Sequence, residues 1–209
     1  MDQTPWERDN GTFPADLFRS WMQAMVQPGE FFRALDPNVS FARPLIFYLM
    51  FSVIGSGASL LSSMAAFGDV YREVYAIQGI GELSLNTYLW MNFFFSPFGA
   101  LVALLFYVGI THVGVRVFVQ DGQPIGVTAR TLCYVAAPAV LAIVPILGWA
   151  ASFLWTATLA IIGIQWTHQT TFGRAFAAVI IPPVVVTTTI AMVLMAVGVF
   201  FALAIGAAA

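Results

Sequence analysis

Residues 132–164 run for 33 positions without a charged side chain, and residues 44–66 for another 23. An α-helix rises about 1.5 Å per residue, so about 20 apolar residues cross the hydrocarbon layer of a bilayer. Runs of this length read as membrane-spanning helices. Composition makes the same point, because hydrophobic residues are 60% of the chain and charged residues only 9%, against about a quarter charged in a soluble protein. Eight Arg or Lys and ten Asp or Glu side chains cannot cover the surface of a 209-residue globule. Lipid must solvate most of it. A soluble enzyme, a nucleic-acid binder and a disordered tail are excluded, and the net charge of −2 implies no partner.

The expected fold class is all-α: a polytopic membrane helix bundle of five transmembrane helices with an N-terminal interfacial amphipathic helix. Expected spans are 44–66, 88–119, 131–146, 149–166 and 176–205, joined by a polar excursion over 67–86 with Gly79 and Gly81 as loop points. The third and fourth come from dividing the 132–164 run at Pro145 and Gly148, natural turn residues three positions apart. One long kinked helix is the competing reading, and a re-entrant hairpin that never crosses would give the same arginine division. Gly55 and Ser59 in the first span, and Gly198, Ala202 and Gly206 in the last, form small-residue faces that permit close helix contact.

The N-terminal residues 1–12 are polar and expected to be disordered, and no secretory signal peptide is expected. Residues 13–43 then carry Leu17, Phe18 and Trp21 at helical spacing, followed after Pro28-Gly29 by Phe31 and Phe32. Such a broken amphipathic helix ahead of a first span reads as one lying in the membrane interface, with those five residues as its anchor. Packing against the protein's own polar face is the alternative. Arginine counting sets the orientation. With five crossings, seven arginines fall on the N-terminal side and one opposite; with a single crossing over 132–164 the division is six to two. The N-terminus is therefore expected in the cytosol and the C-terminus outside.

Enzyme signatures are missing from the sequence: no nucleophile sits near a His in a recognisable motif, and no phosphate-binding Gly-rich loop occurs. Two histidines and the lone Cys133 offer no metal-ligand spacing, so neither cofactor nor metal is expected. The topology instead gathers His112, Arg116, Arg130, His168 and Arg174 on one side. These could hold an anionic lipid headgroup. Ordinary positive-inside residues reaching for the interface would give the same pattern.

The chain resembles the Yip domain family, in the form of a compact bacterial member. The likeness lies in Pro28-Gly29-Glu30-Phe31-Phe32, Arg43-Pro44-Leu45, His112, Tyr134-Val135-Ala136-Ala137-Pro138, Ile143-Val144-Pro145-Ile146-Leu147-Gly148, His168, Gly173-Arg174-Ala175 and Ile181-Pro182. The resemblance implies five spans and a cytosolic N-terminus. Eukaryotic members bind prenylated Rab proteins and one another in vesicle traffic; a bacterial-type chain with a short N-terminal region does not inherit the Rab partner. The expectation is a non-enzymatic protein of the bacterial inner membrane that organises the membrane or partner proteins, as a homo-oligomer or with other membrane proteins. A lipid-handling or transport protein that binds an anionic phospholipid is the alternative.

Overall fold

The computed structural model describes residues 4–8, 12–36, 40–77 and 82–208, apart from the side chains at 72, 75–77, 82–86, 88, 89 and 199–208. A 3-10 turn at Pro5–Glu7 precedes α1 (Ala15–Val26), α2 (Pro28–Arg33), α3 (Ala42–Ile77), α4 (Glu82–Phe118) and α5 (Ile125–Tyr134). A second 3-10 stretch at Ala137–Ile143 leads to α6 (Leu147–Thr167) and α7 (Phe172–Ala208). There is no strand among the described residues. Among the described residues, five segments are long and apolar enough to cross a membrane: Ala42–Tyr71, Trp90–Phe118, Ile125–Ile143, Leu147–Thr167 and Phe172–Gly198. The chain is an all-α, five-span membrane protein.

Two boundaries differ from the sequence reading. Residues 67–77 continue α3 and residues 82–86 already belong to α4 instead of forming a loop, because a charge such as Asp69 ends an apolar span without breaking a helix. Gly79 and Gly81 lie outside the described residues. At the other end of the chain, Thr4–Arg8 is ordered: Thr4 and Glu7 are buried, and Trp6 donates from its backbone to Ser20 Oγ at 2.9 Å and from its indole to the Arg43 carbonyl at 2.8 Å. Disorder suggested by polarity is overridden here by partners remote in sequence.

The third span is the centre of the bundle, mostly buried within the protein where α4 and α7 are mostly exposed. Its helix stops at Tyr134 for a local reason. Pro138 has no N–H to offer the Tyr134 carbonyl, and its ring would clash there, so the chain tightens into the 3-10 stretch. Pro97 in α4 is tolerated differently: the Ser96 hydroxyl donates at 2.7 Å to Phe93 C=O, the carbonyl that Pro97 leaves without a helical donor. Thr158, Thr187 and Thr189 likewise bond back to carbonyls of their own helices, which is how polar side chains survive in lipid.

Between the 3-10 stretch and α6 the chain reverses in a γ-turn. Leu147 N–H donates to Pro145 C=O at 2.6 Å, with Ile146 between them at φ 60° and ψ −65°. That conformation is rare and strained for a β-branched residue. Gly148 is required beside it, since a Cβ there would meet Leu141 O at 2.0 Å. The 132–164 run is thus two arms meeting at Pro145–Gly148.

Aromatic rings from four elements fix the core. Tyr134 is fully buried between Phe31 and Phe47, with ring centroids at 4.9 and 4.8 Å. Trp21 stacks on Phe51 and donates from Nε1 to Ala137 C=O at 2.9 Å. Of the five residues expected to anchor the N-terminal helix in lipid, Leu17, Phe31 and Phe32 are buried in this core and Trp21 packs against it. Phe18 alone of the five points outward, and it shares an exposed stripe with Met22 and Val26 at four-residue spacing. The amphipathic helix therefore has two apolar faces, one docked on the bundle and one open. Gly55 brings α3 against the 3-10 stretch, where a Cβ would meet Ala139 Cβ at 2.5 Å, and the half-buried Ser59 lies one turn on. A Cβ at Gly198 would meet nothing within 4 Å. The side chains of Ala202 and Gly206 lie outside the described residues.

Candidate functional site

Pro124 caps the start of α5, and Thr128, Thr131 and Arg130 on that helix point three ways. Thr128 faces α4 and the end of α6. Its Oγ1 lies 2.9 Å from His112 Nδ1 and 3.1 Å from His168 Nε2. Gln123 N–H donates to His168 Nδ1 at 3.0 Å, which assigns the ring proton of neutral His168 to Nε2 and directs it to Thr128. The Thr128 hydroxyl proton is then left for His112 Nδ1. Burial, with His112 nearby, pushes His168 down to about 4. The two histidines are tied to one another through Thr128 rather than turned outward to a ligand.

Thr131 faces α6. Its hydroxyl lies 2.8 Å from Val127 O and 3.0 Å from Thr167 Oγ1, and Thr167 in turn donates to Gly163 C=O. This polar seam is close-packed: a Cβ on Gly163 would sit 2.5 Å from Thr131 Cγ2 and 3.1 Å from the Phe32 ring.

Arg130 turns toward the N-terminal segment and is 5% exposed. Its guanidinium lies 3.4 Å from Glu7 Oε1 and donates to the Asp36 carbonyl. Tyr134 O–H donates to the same Glu7 oxygen at 2.9 Å. Burial holds the Glu7 carboxyl above the usual range, with Arg130 opposing the shift. Glu7 Oε2 is buried and has no hydrogen-bond partner among the described residues.

A cavity of about 470 Å³ opens between α2, α5 and the end of α6. Phe32, Leu35, Val127 and Trp166 supply its apolar wall; Gln123, Thr131, Thr167 and Gln169 supply neutral polar groups; Arg33 and Arg130 supply charge. The Arg33 guanidinium carbon lies 3.4 Å from the centre of the Trp166 ring, an arrangement that holds a cation in place by its attraction to the π face. The volume is within the roughly 300–1,000 Å³ of small-molecule sites. A predominantly apolar wall with two guanidinium groups suits an amphipathic anion.

The sequence match is made by the same elements that build this site. The sequence model of the Yip1 domain matches residues 22–195. The chain belongs to the Yip1 domain family. That match takes in α2, all of α3 to α6 and most of α7, so the cavity and the His112–Thr128–His168 chain are parts of the Yip1 domain, while Glu7 lies ahead of it. No curated protein and no solved structure matches the chain significantly.

Of the five residues expected to hold a headgroup, only Arg130 lines the cavity. Arg116 and Arg174 are exposed elsewhere on this end of the bundle, with Arg174 NH1 3.5 Å from Gln120 Oε1. Sequence reasoning missed Glu7, Arg33, Gln123, Thr128 and Trp166. Arg33 had a signal, since it follows the Phe31-Phe32 pair on a helix that had to dock somewhere. Glu7 had none, lying 123 residues from Arg130.

Proposed function

We propose that this Yip1-domain protein is non-enzymatic and organises the bilayer around it by holding an anionic phospholipid headgroup at its cytosolic face. The cavity between Arg33 and Arg130 carries the reading. It joins two cations to an apolar wall at the end of the bundle where α3 and α7 begin and α4 and α6 end, a place where a headgroup and the start of its acyl chains would meet. Placement in the bacterial inner membrane, N-terminus in the cytosol and C-terminus outside, is supported by the division of seven arginines to one. The Pro145–Gly148 turn would then lie on the outer side, with α5 and its 3-10 extension as the third crossing.

Native mass spectrometry of the full chain from gentle detergent tests this. Anionic lipid retained by the wild type should be lost in Arg33→Gln and kept in Arg116→Gln and Arg174→Gln. Retention indifferent to Arg33 would overturn the reading.

Self-association is the second reading, favoured by the open Gly198 on α7. The same spectra report subunit number, and Gly198→Leu should lower it if α7 is the contact.

A further inference from the structure

We propose that Glu7 is a tethered competitor of the anion that enters the cavity, so that phosphate binding at Arg130 and docking of the N-terminal segment oppose each other. This rests on the headgroup reading above and goes on to its regulation. Arg130 stands between two compartments: it lines the cavity on one side and meets the Glu7 carboxylate on the other. A guanidinium has five N–H donors, enough to serve both, but only one net charge to offer. A phosphate on the cavity side would stand opposite a carboxylate across that single guanidinium, in surroundings where screening is weak. Each anion therefore weakens the hold on the other.

Glu7 is placed to yield. Its contact with Arg130 is 3.4 Å long, where a strong charge-assisted hydrogen bond is about 2.7–2.9 Å. Its second oxygen is buried without a partner among the described residues. Outside Glu7, the segment is held by the bonds from Trp6 to Ser20 and Arg43, by Arg43 donating to the carbonyls of Trp6 and Arg8, and by packing of the Trp6 ring against the edge of the core and Phe13. The hydrogen bonds among these join polar groups that water can satisfy on release. Arg33, bound to the face of Trp166 and remote from Glu7 in this network, gives the incoming phosphate a second cation for which Glu7 does not compete.

Coupling of this kind is reciprocal. Removing the charge of Glu7 should tighten anion binding, and anion binding should loosen residues 4–8. The test uses the full chain in phosphatidylcholine nanodiscs with graded phosphatidylglycerol, reading retained lipid by native mass spectrometry and amide exchange at Trp6 and Glu7. Glu7→Gln keeps an acceptor for Tyr134 and should raise phosphatidylglycerol retention about fivefold or more. Tyr134→Phe, which loosens Glu7 and leaves its charge, should raise it by a smaller factor and guards against a misfolded Gln variant. In the wild type, phosphatidylglycerol should speed exchange at Trp6 and Glu7. Glycerol phosphate added to pure phosphatidylcholine discs is the soluble arm; if it alone speeds that exchange, the competing anion is a free phosphate and not a lipid. Retention that is lost in Arg33→Gln yet unchanged in both Glu7→Gln and Tyr134→Phe, with exchange at residues 4–8 unaffected, overturns the competition and leaves the headgroup site standing. Retention indifferent to Arg33 removes the site and the competition with it.

Discussion

Tyr134 O–H donates to Glu7 Oε1 across 2.9 Å, joining the last residue of the central helix to a 3-10 turn 127 positions earlier. Both groups are fully shielded, so neither has water as a fallback. Tyr134→Phe should cost about 1–2 kcal/mol by leaving the carboxylate less satisfied. Glu7→Ala should cost more, about 3 kcal/mol, because it removes the carboxylate that faces the buried Arg130 charge. Thermal loss of the monodisperse form in detergent checks the order of the two variants; equal stability of Glu7→Ala and wild type would contradict the burial of this pair.

His168 makes the protein sensitive to acid. Its folded value is about 4 against an ordinary 6.5, so in that window the unfolded chain binds a proton that the folded chain refuses. Stability should fall as pH drops from about 6.5 toward about 4, by on the order of 3 kcal/mol. Glu7 has the opposite sign: its carboxyl is raised by burial, so its deprotonation above the ordinary range weakens the fold. Subtracting the profile of His168→Asn, whose side-chain carbonyl can still accept from Gln123 N–H, isolates the histidine contribution. A difference profile flat between pH 6.5 and 4 would contradict it.

The spans and the break at Pro145–Gly148 were legible because they depend on run length and on proline chemistry, both local properties. So was the small-residue contact at Gly55. The site was only half legible. The sequence places His112 and His168 toward one end of the bundle, but their link through Thr128 depends on the angle at which α5 enters, which no spacing records. For Arg130 the sequence offers a headgroup cation or an ordinary interfacial charge, and neither reading includes a buried carboxylate partner. Its partner Glu7 belongs to a segment whose polarity suggested disorder, and only the packing of α1 against the bundle brings the two together.

Gly114 sets the distance between α4 and α7. A Cβ there would stand 2.1 Å from Ala178 O and 2.8 Å from Pro182 Cγ, and neither a helix carbonyl nor a proline ring can turn aside. Gly114→Ala should cost about 2–3 kcal/mol by forcing the helices apart. Gly109→Ala on the same helix, with nothing within 4 Å of its Cβ, should be close to neutral. Thermal stability of the pair in one detergent decides it, and equal losses would mean that α4 and α7 are not held at this distance.

Ile146 holds a positive φ that glycine adopts without strain. Its side chain is 60% exposed, so little packing is lost on truncation. Ile146→Gly should leave stability unchanged or raise it by up to about 1 kcal/mol, whereas Gly148→Ala should lower it because of the Leu141 carbonyl. Loss of stability in Ile146→Gly comparable to that in Gly148→Ala would contradict the γ-turn.

Helix α1 presents Phe18, Met22 and Val26 on its outer face, 58%, 42% and 67% exposed, while Leu17, Ser20 and Ala24 face the bundle. Three apolar residues along one stripe of a docked helix are costly in water and favourable in a membrane interface, at about 25 cal/mol for each Å² of apolar surface covered. Arg19, 70% exposed and paired with Asp16 at 3.2 Å, supplies the polar edge of such a helix. A Met22→Cys variant of the full chain carrying Cys133→Ser, labelled with an environment-sensitive dye and reconstituted in vesicles, should emit at the short wavelengths of an apolar setting. The same dye placed at Arg19→Cys should emit as in water. Phe18→Ser with Val26→Ser should move the label at residue 22 toward the aqueous emission while leaving the fold intact, since neither side chain packs in the core. A water-like spectrum at residue 22 in otherwise unaltered protein would mean that the stripe faces solvent, or a partner lost on purification, and not lipid.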